Sequence, residues 1–214
     1  MKRLLDIIFS IILLIILFPF FIVVSILILI EDGMPIIFRQ ERIGKGGRRF
    51  AIYKFRTMIN NKKNNFFYIG ENDSRITKVG KFLRKTRIDE LPQLLNILKA
   101  DMSFVGVRPD VDEHFKYYTE EAKKEYCKYS PGIYGLAAFV YRNEGLLLNE
   151  VTDKKDYYIK RLLPEKCKLN KIYNDNYSLL LDFKIVLANF GILKNIKINK
   201  KVYEKYKRKE DSNA

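Results

Sequence analysis

From Ile7 to Ile30 the chain carries no charged residue, and only Ser10, Pro19 and Ser25 interrupt the apolar side chains. Such a run of 24 residues is more than the roughly 20 that cross the hydrocarbon of a bilayer, so the pattern predicts a membrane helix. A cleaved leader would have a shorter apolar core and a small-residue cleavage site, whereas this run meets Glu31, Asp32 and Gly33. The segment is therefore expected to be retained. As a straight helix it would reach about 36 Å, long enough for a tilted span or for a broken hairpin. Lys2 and Arg3 precede it, and Arg39, Arg42, Lys45, Arg48 and Arg49 follow it. Positive flanks on both sides place both on the cytoplasmic face, which a hairpin allows and a single span does not. Pro19 lies near the centre, where its missing N–H offers a break point, although a kinked spanning helix also accommodates a proline.

Beyond Gly33 the pattern changes to short alternating and helical periods. Ile36–Phe38 and Phe50–Tyr53 read as short strands joined by the turn Gly44-Lys45-Gly46-Gly47, whose glycines suit either a hairpin or a phosphate cradle. Asn60–Asn65 reads as a polar loop. Ile88, Leu91, Leu94, Leu95 and Leu98 share one face of a helix that starts near Asp89. Asp112–Tyr126 reads as an exposed charged helix, Pro131–Gly135 as a loop, and Asp156–Leu169 and Ser178–Leu193 as further helices. Lys200–Ala214 reads as a charged tail. The expected fold class is α+β and mainly helical. Its parts are a membrane helix over 1–33, a compact globular domain with short strands over 34–196, and a tail over 197–214.

Charge narrows the set of partners. Across 214 residues, 40 Lys and Arg against 25 Asp and Glu give a net charge of +15, which calls for an anionic partner: nucleic acid, a bilayer surface or a phosphorylated substrate. Between Arg39 and Arg87 there are 15 cationic residues and three acids. Cys127 and Cys167 stand far apart and His114 is the only histidine, so zinc and iron–sulfur centres are excluded. These three residues read as ordinary packed cysteines and a solvated histidine.

The candidate chemistry lies at Asp89-Glu90-Leu91-Pro92-Gln93. A proline is tolerated only in the first turn of a helix, which puts both carboxylates at an N-terminus, where backbone N–H groups stabilise anions. A capping Asp with a first-turn Glu would look the same. Arg84, Lys85 and Arg87 precede the pair, and Arg108 follows in Val107-Arg108-Pro109. Guanidinium groups near two carboxylates suit a diphosphate, because bringing an anionic nucleophile to an anionic phosphate needs cations and a metal.

Several blocks in one order then make the chain resemble the bacterial sugar transferase family, the monotopic phosphoglycosyl transferases. They run from Lys2-Arg3-Leu4-Leu5-Asp6-Ile7 through Phe38–Gly44, Tyr53-Lys54-Phe55-Arg56-Thr57-Met58, Asp73–Gly80 and Leu83–Gln93 to Asp101–Gly106 and Leu162–Lys166. The resemblance implies a re-entrant helix broken at Pro19, Asp89 as nucleophile, Glu90 as ligand to Mg2+, and Arg108 as a phosphate contact. Arg56, Arg84 and Arg87 join Arg108 as expected phosphate or substrate contacts. The chain departs from the family's usual pattern at Phe18-Pro19, Val107 and Tyr134.

The resemblance further implies a transferase at the bacterial cytoplasmic membrane, its globular domain on the cytoplasmic face. A sugar-1-phosphate would pass from a nucleotide-sugar, with UDP as the expected nucleotide, to polyprenol phosphate through a covalent aspartyl intermediate. The expected partners are those two substrates and membrane lipid, with no nucleic acid, and an oligomer is compatible with the sequence. Two other readings explain the charge. A nucleic-acid-binding protein should interleave aromatics with its cations; a non-catalytic scaffold would use them on anionic lipid.

Overall fold

The computed structural model describes residues 1–59 and 73–193. The Asn60–Asn65 loop and the Lys200–Ala214 tail expected from sequence lie outside the described residues. The apolar run forms one helix, α1 (Lys2–Asp32), which continues through Pro19 and ends at Gly33, whose positive φ of 69° suits a residue without a Cβ. It is long and apolar enough to cross a membrane by length and composition. It does not stand apart from the rest of the chain, however. Leu13 and Leu14 pack beside Phe50, Ile52, Leu94 and Ile97. Phe20 and Phe21 pack with Val24 and Ile28 around Phe55 and Leu83.

Both ends of α1 are pinned to the same body. At the start, Lys2 Nζ donates to Val105 O and to Asp182 Oδ2, each at 2.7 Å. Arg3 donates to the carbonyls of Ile97 and Leu98, and Asp6 Oδ1 accepts from the Phe104 N–H at 3.2 Å. At the far end, the Glu31 carboxylate accepts from the N–H groups of Lys78 and Val79 at 2.7 and 2.9 Å. That carboxylate caps α2 (Lys78–Thr86) alongside its N-cap, Thr77.

The first hairpin is longer than the sequence suggests: β1 (Ile37–Ile43) pairs antiparallel with β2 (Arg49–Phe55) across a 3-10 turn at Lys45–Gly47. The glycine cluster is thus the hairpin turn. On the face of β2 that carries Phe50 and Ile52 inward, the next residue in register is Lys54. Beyond the other edge of β2, the Asn96 carboxamide replaces a missing strand, accepting from the Tyr53 N–H at 3.0 Å and donating to Ala51 O at 2.7 Å. Asn96 belongs to α3 (Leu94–Leu98).

The helix expected to begin near Asp89 divides in two. Ile88–Gln93 forms a 3-10 segment and only then does α3 begin, so Leu95 is turned outward and Ile97, which the pattern omitted, is fully buried. Pro92 contributes no N–H inside the segment, and the tighter turn alters which side chains share a face. The Pro131–Gly135 loop is also corrected: Gly132–Tyr134 is β4, parallel to β3 (Ser103–Val105).

The charged helix expected over Asp112–Tyr126 is two, α4 (Asp112–Phe115) and α5 (Glu120–Cys127), separated where Thr119 caps α5. Tyr118 and Tyr126 from this stretch are buried. His114 is not a solvated residue: its Nδ1 lies 2.8 Å from Asp110 Oδ1 and its ring meets Tyr158. Three short elements follow, α6 (Leu136–Val140), α7 (Glu144–Asn149) and α8 (Lys154–Tyr157). A π-helical turn at Tyr158–Leu162 leads into α9 (Leu163–Asp175), and Ser178 caps α10 (Leu179–Asn189). The molecule is mainly helical with two two-stranded sheets among the described residues.

The parallel pair carries the sharpest steric demand. A Cβ on Gly132 would stand 2.1 Å from the Gly106 nitrogen, and one on Gly135 would stand 2.5 Å from Gly106 O. Gly132→Ala should therefore separate β3 from β4 and cost roughly 1–3 kcal/mol. Thermal unfolding of the variant should come several degrees earlier than that of the parent; an unchanged transition would mean that the two strands can part freely.

Candidate active site

The 3-10 segment begins from Arg87, whose left-handed backbone (φ 57°) ends α2 and turns the chain back. That reversal presents Asp89 and Glu90 from the first turn of the segment. Glu90 is buried, 7% exposed, and two cations from distant parts of the chain hold its carboxylate. Lys54 Nζ of β2 donates to Oε1 at 2.7 Å, and Arg108 Nη2 donates to the same oxygen at 2.5 Å. Arg108 Nη1 reaches Oε2 only at 3.4 Å. Burial alone would raise the Glu90 pKa, but Arg108 and Lys54 together outweigh it and hold Glu90 well below the usual carboxylate range.

Asp89 is the opposite case. Its carboxylate forms no hydrogen bond or ion pair among the described residues. Burial pushes its pKa up to about 6 and the neighbouring Glu90 charge adds to that, against the pull of Lys54, Arg108 and Arg84. Two adjacent carboxylates thus sit in opposite states: one locked by cations, the other unpartnered and close to neutral pH in its titration. Lys54 is itself lowered by burial, against the attraction of Glu90.

Both carboxylates line a cavity of about 1970 Å3 together with Arg84, Arg87 and Arg108. The expected cations are therefore assembled around the pair. Arg87 also donates to Asn189 Oδ1 at 3.1 Å. One part of the wall is Met34, Pro35, Ile36 and Phe38, directly after α1; another is polar and aromatic, with Tyr141, Arg142, Tyr158 and Lys166. Lys166 Nζ pairs with Glu144 at 2.6 Å, and the Tyr141 hydroxyl donates to Glu165. From the block Leu162–Lys166, Lys166 thus lines the cavity, one turn beyond the π-helical turn, a distortion common beside functional sites.

Arg56 has partners at the membrane helix as well. Although it borders the cavity, its Nη1 donates to Met34 O at 2.9 Å and its Nη2 to Asp32 O and Gly33 O, both at 2.7 Å, while pairing with the Asp32 carboxylate. These contacts engage Nη1 and Nη2 with the end of α1, so Arg56 fastens the helix to β2 as well as bordering the cavity. Lys54 is the residue that sequence reasoning missed. Its signal was register: in Phe50, Ile52, Lys54 a lysine follows two core residues on one strand face. Pro19 lies inside α1, remote in sequence from these groups.

A metal has a limited choice of protein ligands here. Among the described residues no group of three or more His, Cys, Asp or Glu gathers. Mg2+ is typically bound by one or two carboxylates plus substrate phosphates and water. Glu90 Oε2, with only its long contact to Arg108, and the neighbouring Asp89 fit that donor-poor arrangement.

Comparison with known proteins adds the lineage. The sequence profile described as bacterial sugar transferase matches residues 1–195. The chain is 40% identical over 174 residues to the galactosyl transferase CpsE of Streptococcus agalactiae serotype III (strain NEM316), covering 75% of this chain and 36% of that protein. It is 36% identical over 188 residues to the UDP-N-acetylgalactosamine-undecaprenyl-phosphate N-acetylgalactosaminephosphotransferase of Aeromonas hydrophila, covering 86% of this chain and 41% of that protein. With the UDP-glucose:undecaprenyl-phosphate glucose-1-phosphate transferase of Klebsiella pneumoniae it shares 34% identity over 206 residues, 94% of this chain and 41% of that protein. The chain thus spans well under half the length of these three relatives.

The raised value of Asp89 fixes the sign of a stability test. Its folded pKa of about 6 lies above the unfolded value of about 3.9. The neutral form is therefore favoured by folding, and that stability is full below about pH 4 and is lost as pH rises through about 6. Asp89→Asn should be more stable than the parent above pH 6 by roughly 1–3 kcal/mol, with the difference vanishing toward pH 4. Melting temperatures across that range check it, and a flat difference would contradict the raised pKa of the carboxylate. Because Lys54 is the largest attraction on Asp89, the midpoint of the difference should move upward in a Lys54→Met background.

Proposed function

The chain belongs to the bacterial sugar transferase family, and from that premise we propose that it transfers a sugar-1-phosphate from a UDP-sugar to undecaprenyl phosphate at a membrane surface. The observation that carries the reading is the unpartnered Asp89, with a pKa near 6, beside a Glu90 neutralised by Lys54 and Arg108 in one large cavity. The relatives' names supply the substrate classes: a UDP-sugar and undecaprenyl phosphate.

In this scheme a carboxylate oxygen of Asp89 attacks the sugar-bearing phosphorus of the UDP-sugar. The bond from that phosphorus to the bridging oxygen breaks, UMP leaves, and an acyl phosphate carrying the sugar forms. A phosphate oxygen of undecaprenyl phosphate then attacks the same phosphorus, restoring the Asp89 carboxylate and giving an undecaprenyl diphosphate sugar. Arg108, Arg84 and Arg87 hold the diphosphate oxygens and lower the repulsion between anionic nucleophile and anionic substrate. Lys54 keeps Glu90 ionised and in position and adds positive charge beside Asp89. Mg2+, held by Glu90 with Asp89 adjacent, would neutralise diphosphate charge. The apolar wall at Met34–Phe38 suits the lipid substrate, and the polar, aromatic wall at Tyr141, Arg142 and Tyr158 suits the nucleotide.

The re-entrant placement of α1 belongs to the same proposal. Its 31 residues would extend about 46 Å if straight, yet Lys2 and Glu31 bond to the same globular body. A span carries its two ends to opposite faces of the bilayer, so these contacts support a helix that enters and leaves on one face, with the globular domain in the cytoplasm. Cysteines introduced at Lys2 and Lys45 should both be labelled from the cytoplasmic side alone; periplasmic labelling of either one would mean a span.

The reaction scheme is tested by its first half. With a matched UDP-sugar and Mg2+ but no polyprenol phosphate, the protein should release up to an equivalent of UMP and gain the mass of a phospho-sugar. Asp89→Asn should abolish both signals. UMP appearing only when acceptor is present, with no adduct, would establish direct transfer and leave Asp89 as a base or metal ligand.

A further inference from the structure

Helix α9 carries two polar residues where its pattern calls for core. Leu163, Leu169 and Tyr173 are buried along its inner face. Lys166 and Asn170 fall on that same face, between Leu163 and Tyr173 at helical spacing and one turn apart from each other. Both line the cavity. A polar group carried into a protein costs free energy unless something bonds to it. Lys166 has such a partner in Glu144, the first residue of α7: its Nζ meets Glu144 Oε2 at 2.6 Å and lies 4.9 Å from the centre of the Tyr158 ring. An ammonium has three donors, so capacity remains on Lys166. Glu144 Oε1 and the Asn170 carboxamide form no hydrogen bond among the described residues.

The chemistry of this set differs from that of the arginines. Arg84, Arg87 and Arg108 make their part of the cavity attractive to phosphate, whereas the charges of Glu144 and Lys166 cancel each other. What remains open is an acceptor at Glu144, donors at Lys166, and both kinds at Asn170. A hydroxyl is at once donor and acceptor, so two adjacent hydroxyls on a sugar ring match the set and a phosphate does not. The location fits as well. Arg108 is held above its ordinary pKa chiefly by Glu90, and Glu144 adds to that pull, so the set stands within electrostatic reach of the cation that the proposed reaction gives to the diphosphate. In a nucleotide-sugar, a sugar ring lies directly on either side of the diphosphate.

We propose that Glu144, Lys166 and Asn170 form a subsite for two adjacent hydroxyls of the nucleotide-sugar, with Glu144 Oε1 accepting, Lys166 Nζ donating and the Asn170 amide completing the set. The hydroxyls are those of the ribose or of the transferred hexose, whose rings share this chemistry. The subsite rests on the proposed substrate class and deepens it: three side chains apart from the phosphate-binding arginines select the sugar ring that the cavity accepts.

The test reads equilibrium binding and not turnover, so a failure of the chemical step cannot be mistaken for a failure of the subsite. Calorimetry on the full chain in detergent, with Mg2+, measures the binding of UMP, 2′-deoxy-UMP, UDP-glucose, UDP-galactose and UDP-N-acetylgalactosamine. Asn170→Ala removes a side chain that holds no hydrogen bond of the protein, and the double variant Glu144→Gln with Lys166→Met removes both charges together, leaving neither without its counterion. If the hydroxyls are those of the hexose, the parent's preferred UDP-sugar should bind about tenfold more weakly to the double variant and about fivefold more weakly to Asn170→Ala, with UMP unchanged. If they are those of the ribose, UMP should weaken by those factors and the parent's preference for UMP over 2′-deoxy-UMP should vanish. Unchanged affinities throughout would overturn the subsite. An equal loss for UMP and 2′-deoxy-UMP would overturn it too, assigning the contacts to the base or the phosphate. A parent that binds none of these probes would overturn the proposed substrate class, and the subsite with it.

Discussion

A carboxylate inside a protein stays ionised only when cations come to it, and the arrangement of this molecule is governed by bringing two of them to Glu90. Lys54 arrives on a strand, Arg108 on the loop after β3, and Glu90 on a 3-10 turn between them. Each of those carriers is held by a contact of its own. Asn96 ties the helix after Glu90 to the edge of β2. The Arg108 loop is held by β1, through the Ile43 N–H to Asp110 O at 2.9 Å and Arg42 to Pro109 O at 3.2 Å. The close approach of Gly106 and Gly132 lets the parallel pair form directly before that loop. With both cations engaged by Glu90, its neighbour Asp89 is left as the group whose protonation is free to change.

The membrane helix is part of this framework and not an appendage. Its middle contributes Leu13, Leu14, Phe20 and Phe21 to the same apolar clusters that support β2 and α3. Its first residues cap the end of α3 and reach β3, and its last residues cap α2, which leads into the active-site turn. Removing α1 would therefore expose the backs of the elements that hold Glu90 and its partners, so the apolar helix and the carboxylate site share one core.

Much of this was legible in the sequence because its signals were local. The uncharged run identified α1, and Pro92 just after two acids marked the turn at Asp89 and Glu90. The spacing of Arg84, Arg87 and Arg108 gave cations that do meet in one cavity. What escaped depends on long-range partners. A lone lysine in a strand reads as a solvated side chain, and only the convergence of β2 with the 3-10 segment turns Lys54 inward. Arg56 reads as equally available, and only the fold brings the end of α1 against it. His114 seemed solvated because Asp110 and Tyr158 come to it from a turn upstream and from a distant helix. The strand at Gly132–Tyr134 needed a partner 29 residues earlier in the chain, since Ser103 pairs with Gly132.

The Arg56 contacts have a mechanical consequence. One guanidinium grips the carbonyls of Asp32 and Gly33 at the end of α1, and its backbone lies two residues along from Lys54. The end of the helix and the strand that presents Lys54 are thus fastened together at one side chain, two residues from the cation that holds Glu90. Arg56 is the rivet between the part of the chain made for lipid and the part that carries the carboxylates.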